Sequence, residues 1–350
     1  MNSALAYVED PQLVGTDLLV DVLNAVLCET ADTGCRVRRL ERRYSDYYSS
    51  YVMEEIDVLL ENGQRLELTF KNLSRDAMLE GAVKTKPVFL YNPMREIEAY
   101  RKVLSAHRLG TPRFYGTFID RPAEQYWLFI ERVPGTLLWQ FGDDALWQHV
   151  AGWLRRMHTT LLFDAQSRLP AEASPFRVYN ADYYWQWMRR AQAFLYRTAE
   201  RSGHGAVEKI DWLADRFQIV VDRLIRLPVT LIHGEFYPSN VLVKRDANGT
   251  RVCPVDWETA AIGPGLIDLS ALTSGSWTEA QRLAMAMAYF DGLGTDSDEA
   301  ARTEFLVDLD FCNLFMAIQW LGWSPDWEPP PEHAQNWLTE ADALAKKLHL

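Results

Sequence analysis

Apolar and polar positions follow two rhythms along this chain, and the change from one to the other falls near Leu137. Before it, Val37–Tyr44, Tyr51–Leu60, Arg65–Lys71, Pro112–Asp120 and Gln125–Ile130 are rich in β-branched and aromatic residues and read as five strands. Asn62-Gly63, between the second and third, is a tight hairpin signal because both residues accept a positive φ. Two helical patterns accompany these strands. Asp17–Leu27, with Thr16 as its cap, is expected along the edge of the sheet, and Pro93–Leu104 buries Ile97, Tyr100 and Leu104. After Leu137 the period lengthens to about 3.6 residues. Ala145–Leu162 carries the clearest stripe (Leu146, Val150, Trp153, Leu154, Met157, Leu161), and helices are expected over 182–196, 206–226, 278–293, 300–320 and 331–348. The expected fold class is α+β, with a small antiparallel-sheet lobe over residues 1–131 and a larger, mainly helical lobe over 132–350.

One β-rich stretch interrupts the helical half. Val229–Ile232 is a short strand broken by the polar segment His233–Ser239, after which Asn240–Arg245 and Thr250–Asp256 face each other across a second Asn-Gly turn. With Asn248-Gly249 as a two-residue loop, Ala247 pairs with Thr250, and the ladder then sets Val241 opposite Asp256. That register places the side chains of Asn240 and Asp256 next to each other, and two hard oxygen donors so placed suit Mg²⁺. Glu235 lies in the loop feeding the same end.

Length and charge narrow the picture further. A chain of 350 residues is long for one core and suits two lobes, while 48% apolar residues and 13 Trp supply a sizeable interior. The net charge of −12 argues against nucleic acid and suits a cationic small partner. Cys28, Cys35, Cys253 and Cys312 are scattered without a C-x-x-C spacing and are expected to be reduced. No basic, apolar leader opens the sequence and no stretch approaches the ~20 apolar residues of a membrane span, so a cytoplasmic location without membrane attachment is expected. The sequence leaves the oligomeric state undecided. It has no G-x-x-x-x-G-K-[ST], G-x-G-x-x-G, H-E-x-x-H or G-x-S-x-G segment.

The run HGEFYPSN at 233–240 followed by VDWE at 255–258 resembles the catalytic core of the aminoglycoside phosphotransferase and choline kinase family, small-molecule relatives of protein kinases. The resemblance implies a two-lobed kinase-like fold and transfer of the γ-phosphoryl group of ATP to a hydroxyl of a small molecule. Asn240 and Asp256 would then hold Mg²⁺, Glu235 would stand as catalytic base, and Glu258 would assist at the metal. Asp268, in the segment GPGLIDL, would brace the catalytic loop through backbone N–H groups, and His233 would prop it; His158 is expected to be a buried structural histidine. Lys71, closing LELTFK, would contact the phosphates and be held by Glu96, with Glu98 as the alternative. Ser49 and Ser50 would lie over the phosphates, and the backbone of Glu131 and Val133 would meet the adenine edge. Trp320, Trp323 and Trp327 offer a wall for the acceptor, and Asp308, Asp310, Asp326 and Glu328 are acids that an amine-bearing acceptor would meet.

Glu235 departs from the family pattern, which has Asp there. The extra methylene displaces the carboxylate by about 1.5 Å, a misplacement that can cost about 10²-fold in rate. Two readings follow: a pocket built for the longer acid, or a protein that binds nucleotide without efficient transfer. The acceptor also has two candidate classes, an antibiotic such as an aminoglycoside, or a metabolite such as choline, homoserine or a glycated amine.

Overall fold

The computed structural model describes residues 13–28, 36–47, 50–162, 174–198, 204–247, 249–291, 299–323 and 336–350. The chain divides into two compact units, the first formed by residues 1–84, 100–107 and 112–133, the second by 85–99, 108–111 and 134–350. A single cut near residue 132 therefore misses two short pieces that pack with the second unit.

The first unit is a five-stranded antiparallel sheet of β1 (Val37–Tyr44), β2 (Met53–Leu60), β3 (Arg65–Asn72), β4 (Phe114–Asp120) and β5 (Gln125–Glu131), in the order β1-β2-β3-β5-β4. Every second residue of β2 is buried, as a sheet with one covered face requires. The cover is α1 (Thr16–Cys28), whose Leu19, Val22, Leu23, Val26 and Leu27 join Ile56, Val58, Leu68, Phe70 and Phe129 in one apolar cluster. The helix thus lies across the face of the sheet rather than along its edge, because five apolar side chains need a surface wider than one strand to bury against. Gly116 of β4 permits the approach: a Cβ there would fall 2.1 Å from Val26 Cγ1. On the edge strand, Arg42 grips Glu54 of β2 with two hydrogen bonds of 2.7 and 2.8 Å. Cys28, exposed at the end of α1, is disulfide-bonded, whereas Cys253 and Cys312 are free and buried. The expectation of reduced cysteines holds for the core pair and fails at Cys28.

Beyond a short α2 (Glu80–Thr85), the second unit contains α3 (Pro93–Glu98), α4 (Asp144–Thr160), α5 (Ala181–Arg197), α6 (His204–Leu224), α7 (Leu266–Thr273), α8 (Glu279–Asp291), α9 (Glu299–Trp323) and α10 (Trp337–Lys347). Asn92 caps α3 through Met94 N–H with Pro93 in the first turn. The expected helix over 93–104 is not uniform. It is α only to Glu98, becomes a π-helix over Ala99–Val103 and ends in a 3₁₀ turn at Leu104–Ala106. Among the described residues one helix, α9, is long and apolar enough to cross a membrane by length and composition, contrary to the sequence expectation, but 67% of that window is buried within the unit. It is the core helix against which α5, α7 and α10 pack.

Two small sheets frame the loop at 233–240. Strands β8 (Val229–Ile232) and β7 (Arg177–Val178) flank β11 (Ala261–Pro264), and β9 (Val241–Asp246) lies between β10 (Gly249–Pro254) and β6 (Thr136–Leu137). The β9–β10 hairpin differs from the expected register by two residues: Asp246 pairs with Gly249, so Val241 faces Pro254. The ladder stops there because Pro254 has no N–H to continue it and Asp256 turns left-handed (φ +67°). A slip of two preserves which face each side chain occupies. The Val255 N–H still reaches Asn240 O at 2.9 Å, so Asp256 follows directly on the residue bonded to Asn240.

Candidate active site

The loop between β8 and β9 is held from below by one carboxylate. Asp268, in the first turn of α7 and fully buried, accepts the N–H groups of His233 (2.7 Å) and Gly234 (2.8 Å) and meets His158 Nε2 at 3.0 Å. His158 Nδ1 faces the Tyr289 hydroxyl at 2.9 Å, so the ring donates to Asp268 and accepts from Tyr289. Gly234 sits at φ +85°, and a Cβ there would lie 2.6 Å from Thr259 O. Only glycine fits that position, because both the conformation and the space exclude a side chain. His233 spends its ring on the loop: Nε2 donates to Val255 O at 2.9 Å and Nδ1 accepts Glu235 N–H at 3.4 Å. With both nitrogens so engaged, His233 and Asp268 position the loop.

The loop presents Glu235 and Asn240. Asn240 Nδ2 donates to Glu235 O at 3.0 Å, and Tyr237 N donates to the same carbonyl at 2.7 Å. That bond fixes the amide and turns Oδ1 away as its remaining acceptor. Glu235 is partly exposed yet enclosed by protein atoms, and its carboxyl is pushed up to about 8. Burial is the main cause, the Glu258 charge follows, and Asp256 adds to it, while Lys86 and Arg95 act in the opposite sense. Glu235, Asp256 and Glu258 therefore lie within electrostatic reach of one another, and Asn240 joins them through the loop backbone.

The second wall comes from residues 85–99. Lys86 pairs with Glu258 at 2.5 Å, both nearly buried (6% and 11% exposed). Arg95 donates to three carbonyls: Leu90 at 2.9 Å, Glu258 at 2.8 Å and Pro175 at 3.3 Å. Glu96 accepts Trp257 N–H at 3.3 Å, one residue from Asp256. Burial, then the like charge of Arg177, holds the Arg95 guanidinium below its ordinary pKa. Arg177 itself donates to Phe89 O and lies over the rings of Phe89 and Tyr183. Lys86, Arg95 and Arg177 were missed by sequence reasoning. Arg95 adjoins Glu96 in a stretch already marked and was passed over. Arg177 occupies a two-residue strand, too short for any periodicity to register.

Beside Glu235 is an enclosed cavity of about 10 Å³, room for one water, lined also by Arg95, Arg177, Tyr183, Gln319 and Trp323. Arg95, Arg177 and Tyr183 also line an adjoining open cleft of about 600 Å³. Of the tryptophans considered for the acceptor wall, Trp323 is at the cavity, Trp320 instead stacks on Trp337 (5.6 Å), and Trp327 lies outside the described residues. Asp308 and Asp310 are engaged by Arg223 and Lys347, and Asp326 and Glu328 lie outside the described residues.

The remaining marked residues belong to the first unit. Lys71 is 2% exposed near the end of β3, where it pairs with Met53 and Leu128. Ser50 is buried, with its carbonyl accepting Leu79 N–H at 2.9 Å, and Ser49 lies outside the described residues. Glu131 N–H is spent on Arg113 O (2.8 Å), which restricts its backbone to accepting; Val133 closes the unit.

Mg²⁺ fits this donor set. No group of three His, Cys, Asp or Glu side chains that could hold a metal forms among the described residues. The protein offers instead the amide oxygen of Asn240 and the carboxylate of Asp256, hard ligands in the small number that magnesium takes from proteins when phosphates and water complete its shell.

The carboxylate-braced loop with its acid and amide, and the left-handed Asp at the hairpin's end, lie within the part of the chain that a family model matches. The family model of the phosphotransferase enzyme family, APH, matches residues 83–305, and the chain belongs to that family, whose members act on small molecules. No curated protein matches the sequence. Among solved structures, choline kinase from Cryptosporidium parvum Iowa II is similar over 96% of this chain and 96% of its own, with 15% identity and a TM-score of 0.59. Ethanolamine kinase from Plasmodium vivax is similar over 89% of this chain and 82% of its own (14% identity, TM-score 0.52). The GDP complex of wild-type aminoglycoside 2'-phosphotransferase-IIIa is similar over 95% and 98% (15% identity, TM-score 0.50). At these identities the likeness shows the fold, which is the two-lobed kinase-like α+β architecture.

Proposed function

We propose that this protein transfers the γ-phosphoryl group of ATP to a hydroxyl of a small molecule, with Glu235 as the acid that orients and deprotonates the acceptor. The observation that carries this reading is the loop that presents Glu235 and Asn240, fastened by Asp268 through the His233 and Gly234 N–H groups. The acceptor oxygen forms a bond to the γ-phosphorus, the bond from that phosphorus to the β–γ bridging oxygen breaks, ADP leaves with the electron pair, and the hydroxyl proton passes to Glu235. Asn240 and Asp256 would hold Mg²⁺, which offsets charge on the phosphates when bound. Lys71, Ser50, and the backbone of Glu131 and Val133 would contact the nucleotide. An acid whose pKa lies near the working pH is a competent base once ionised, because both its protonation state and its driving force suit the transfer.

One observation favours the second reading, ligand binding without turnover: a carboxyl pushed up to about 8 keeps its proton at neutral pH. ATP consumption measured with wild type, E235D and E235Q over a broad acceptor panel separates the two. Turnover lost in E235Q and reduced in E235D supports transfer. A wild type as inert as E235Q at pH 7 and at pH 9, with nucleotide still bound, would overturn it.

A further inference from the structure

Resting on the phosphotransfer reading, we propose that the acceptor is a hydroxylated anion whose carboxylate is held by Arg95 and Arg177 beside Glu235. The enclosed cavity and the open cleft are continuous in lining, sharing Arg95, Arg177 and Tyr183. Neither arginine has a carboxylate partner among the described residues; both are spent on backbone carbonyls, and only in part. A guanidinium has five N–H donors in a planar fork matched to a carboxylate. Arg95 uses Nε and Nη1, leaving Nη2, while Arg177 uses Nη2 and leaves Nε buried with no hydrogen-bond partner.

Two like charges, one buried at Arg95 and one half-buried at Arg177, cost stability unless an anion completes them. A second orphan points the same way. Gln319 is 6% exposed, lines the cavity with Glu235, and its Oε1 has no partner. That oxygen is an acceptor waiting for an O–H, which is the other half of a hydroxy acid. The acids nearby do not cancel the positive wall: Glu258 is taken by Lys86, and Asp182 sits at the exposed rim of the cleft. This local arrangement runs against the cationic partner expected from the overall charge of −12. A cleft of about 600 Å³ suits a ligand of metabolite size.

The test measures ADP release and binding, the latter by tryptophan fluorescence since Trp323 lines the cavity. One arm contains D-glycerate, D-gluconate and 4-hydroxybutyrate with their neutral methyl esters. A second contains glycerol 3-phosphate, and a third contains choline, ethanolamine, kanamycin and streptomycin. The acids are expected to exceed their esters at least about 10-fold in kcat/KM, the worth of one or two charge-assisted hydrogen bonds. R177Q should raise the acceptor KM by about 10-fold or more and leave the ATP KM unchanged, with R177K recovering part of the loss. The acid-against-ester comparison uses the unaltered protein, so it decides the matter even if R177Q fails to fold.

Preference for glycerol 3-phosphate would keep the anion site and assign it to phosphate esters. Turnover of the cationic or neutral compounds in preference to both anionic arms overturns this inference and leaves phosphotransfer standing. Anions that bind through Arg177 without any ADP release keep the anion site but remove the phosphotransfer reading, and with it the role of the anion as acceptor. Neither binding nor release in any arm removes both.

Discussion

Replacing Glu235 by Gln keeps the shape of the protonated acid and removes its titration. In the folded chain the carboxyl releases its proton near 8; in the unfolded chain it does so near its ordinary 4.5. Between these values the native state holds a proton that the unfolded state has lost, so raising the pH favours unfolding through this window. At about 1.4 kcal/mol per pH unit, the wild type should lose at most about 5 kcal/mol between pH 4.5 and 8 from this group alone, and no more above it. E235Q carries no such loss. The assay is urea unfolding of nucleotide- and metal-free protein at pH 5, 7 and 9, followed by tryptophan emission. That signal reports the second unit, because Trp127 is the only one of the 13 tryptophans numbered within the first. The two proteins should nearly coincide at pH 5, and E235Q should be more stable by several kcal/mol at pH 9 while turning over no acceptor. A stability difference that stays constant with pH, or a wild type that is the more stable at pH 9, would refute the burial argument for Glu235.

Other changes test the frame around it. D268N places an amide where a carboxylate accepts two backbone N–H groups and faces His158; a loss of about 3 kcal/mol and at least about 10²-fold in kcat is expected, read by unfolding and ADP release. G234A meets Thr259 O and an unfavourable φ together, so about 2 kcal/mol or more should go, and unchanged melting would contradict the geometry. K86M strands Glu258 in a nearly buried position and should cost about 3–5 kcal/mol, whereas the double variant K86M/E258L should recover part of it in the same unfolding assay.

Much of this was legible before any coordinates. The strand β1 came out at its bounds although its burial does not alternate regularly, and α4 was marked by a long stripe of buried Trp, Leu and Val. What escaped was set by backbone geometry that residue type does not determine. The β9–β10 register depends on which residue closes the turn, and two-residue loops one step apart are nearly equivalent until Pro254 and the left-handed Asp256 end the ladder. Arg95 and Arg177 escaped for another reason. Their partners are carbonyls of Leu90, Pro175, Glu258 and Phe89, and backbone acceptors leave no trace in the side-chain alphabet. Glu96 also accepts Trp257 N–H, a bond that no motif contains and that the sequence could not announce.

The triple grip of Arg95 bears on how the gene can be divided. A fragment begun at residue 132, where composition invites a boundary, would leave behind the guanidinium that joins carbonyls at 90, 175 and 258, together with the lysine that neutralises Glu258. Such a truncation should emerge insoluble or molten, and supplying residues 85–111 as a separate peptide is the complementation that ought to restore it.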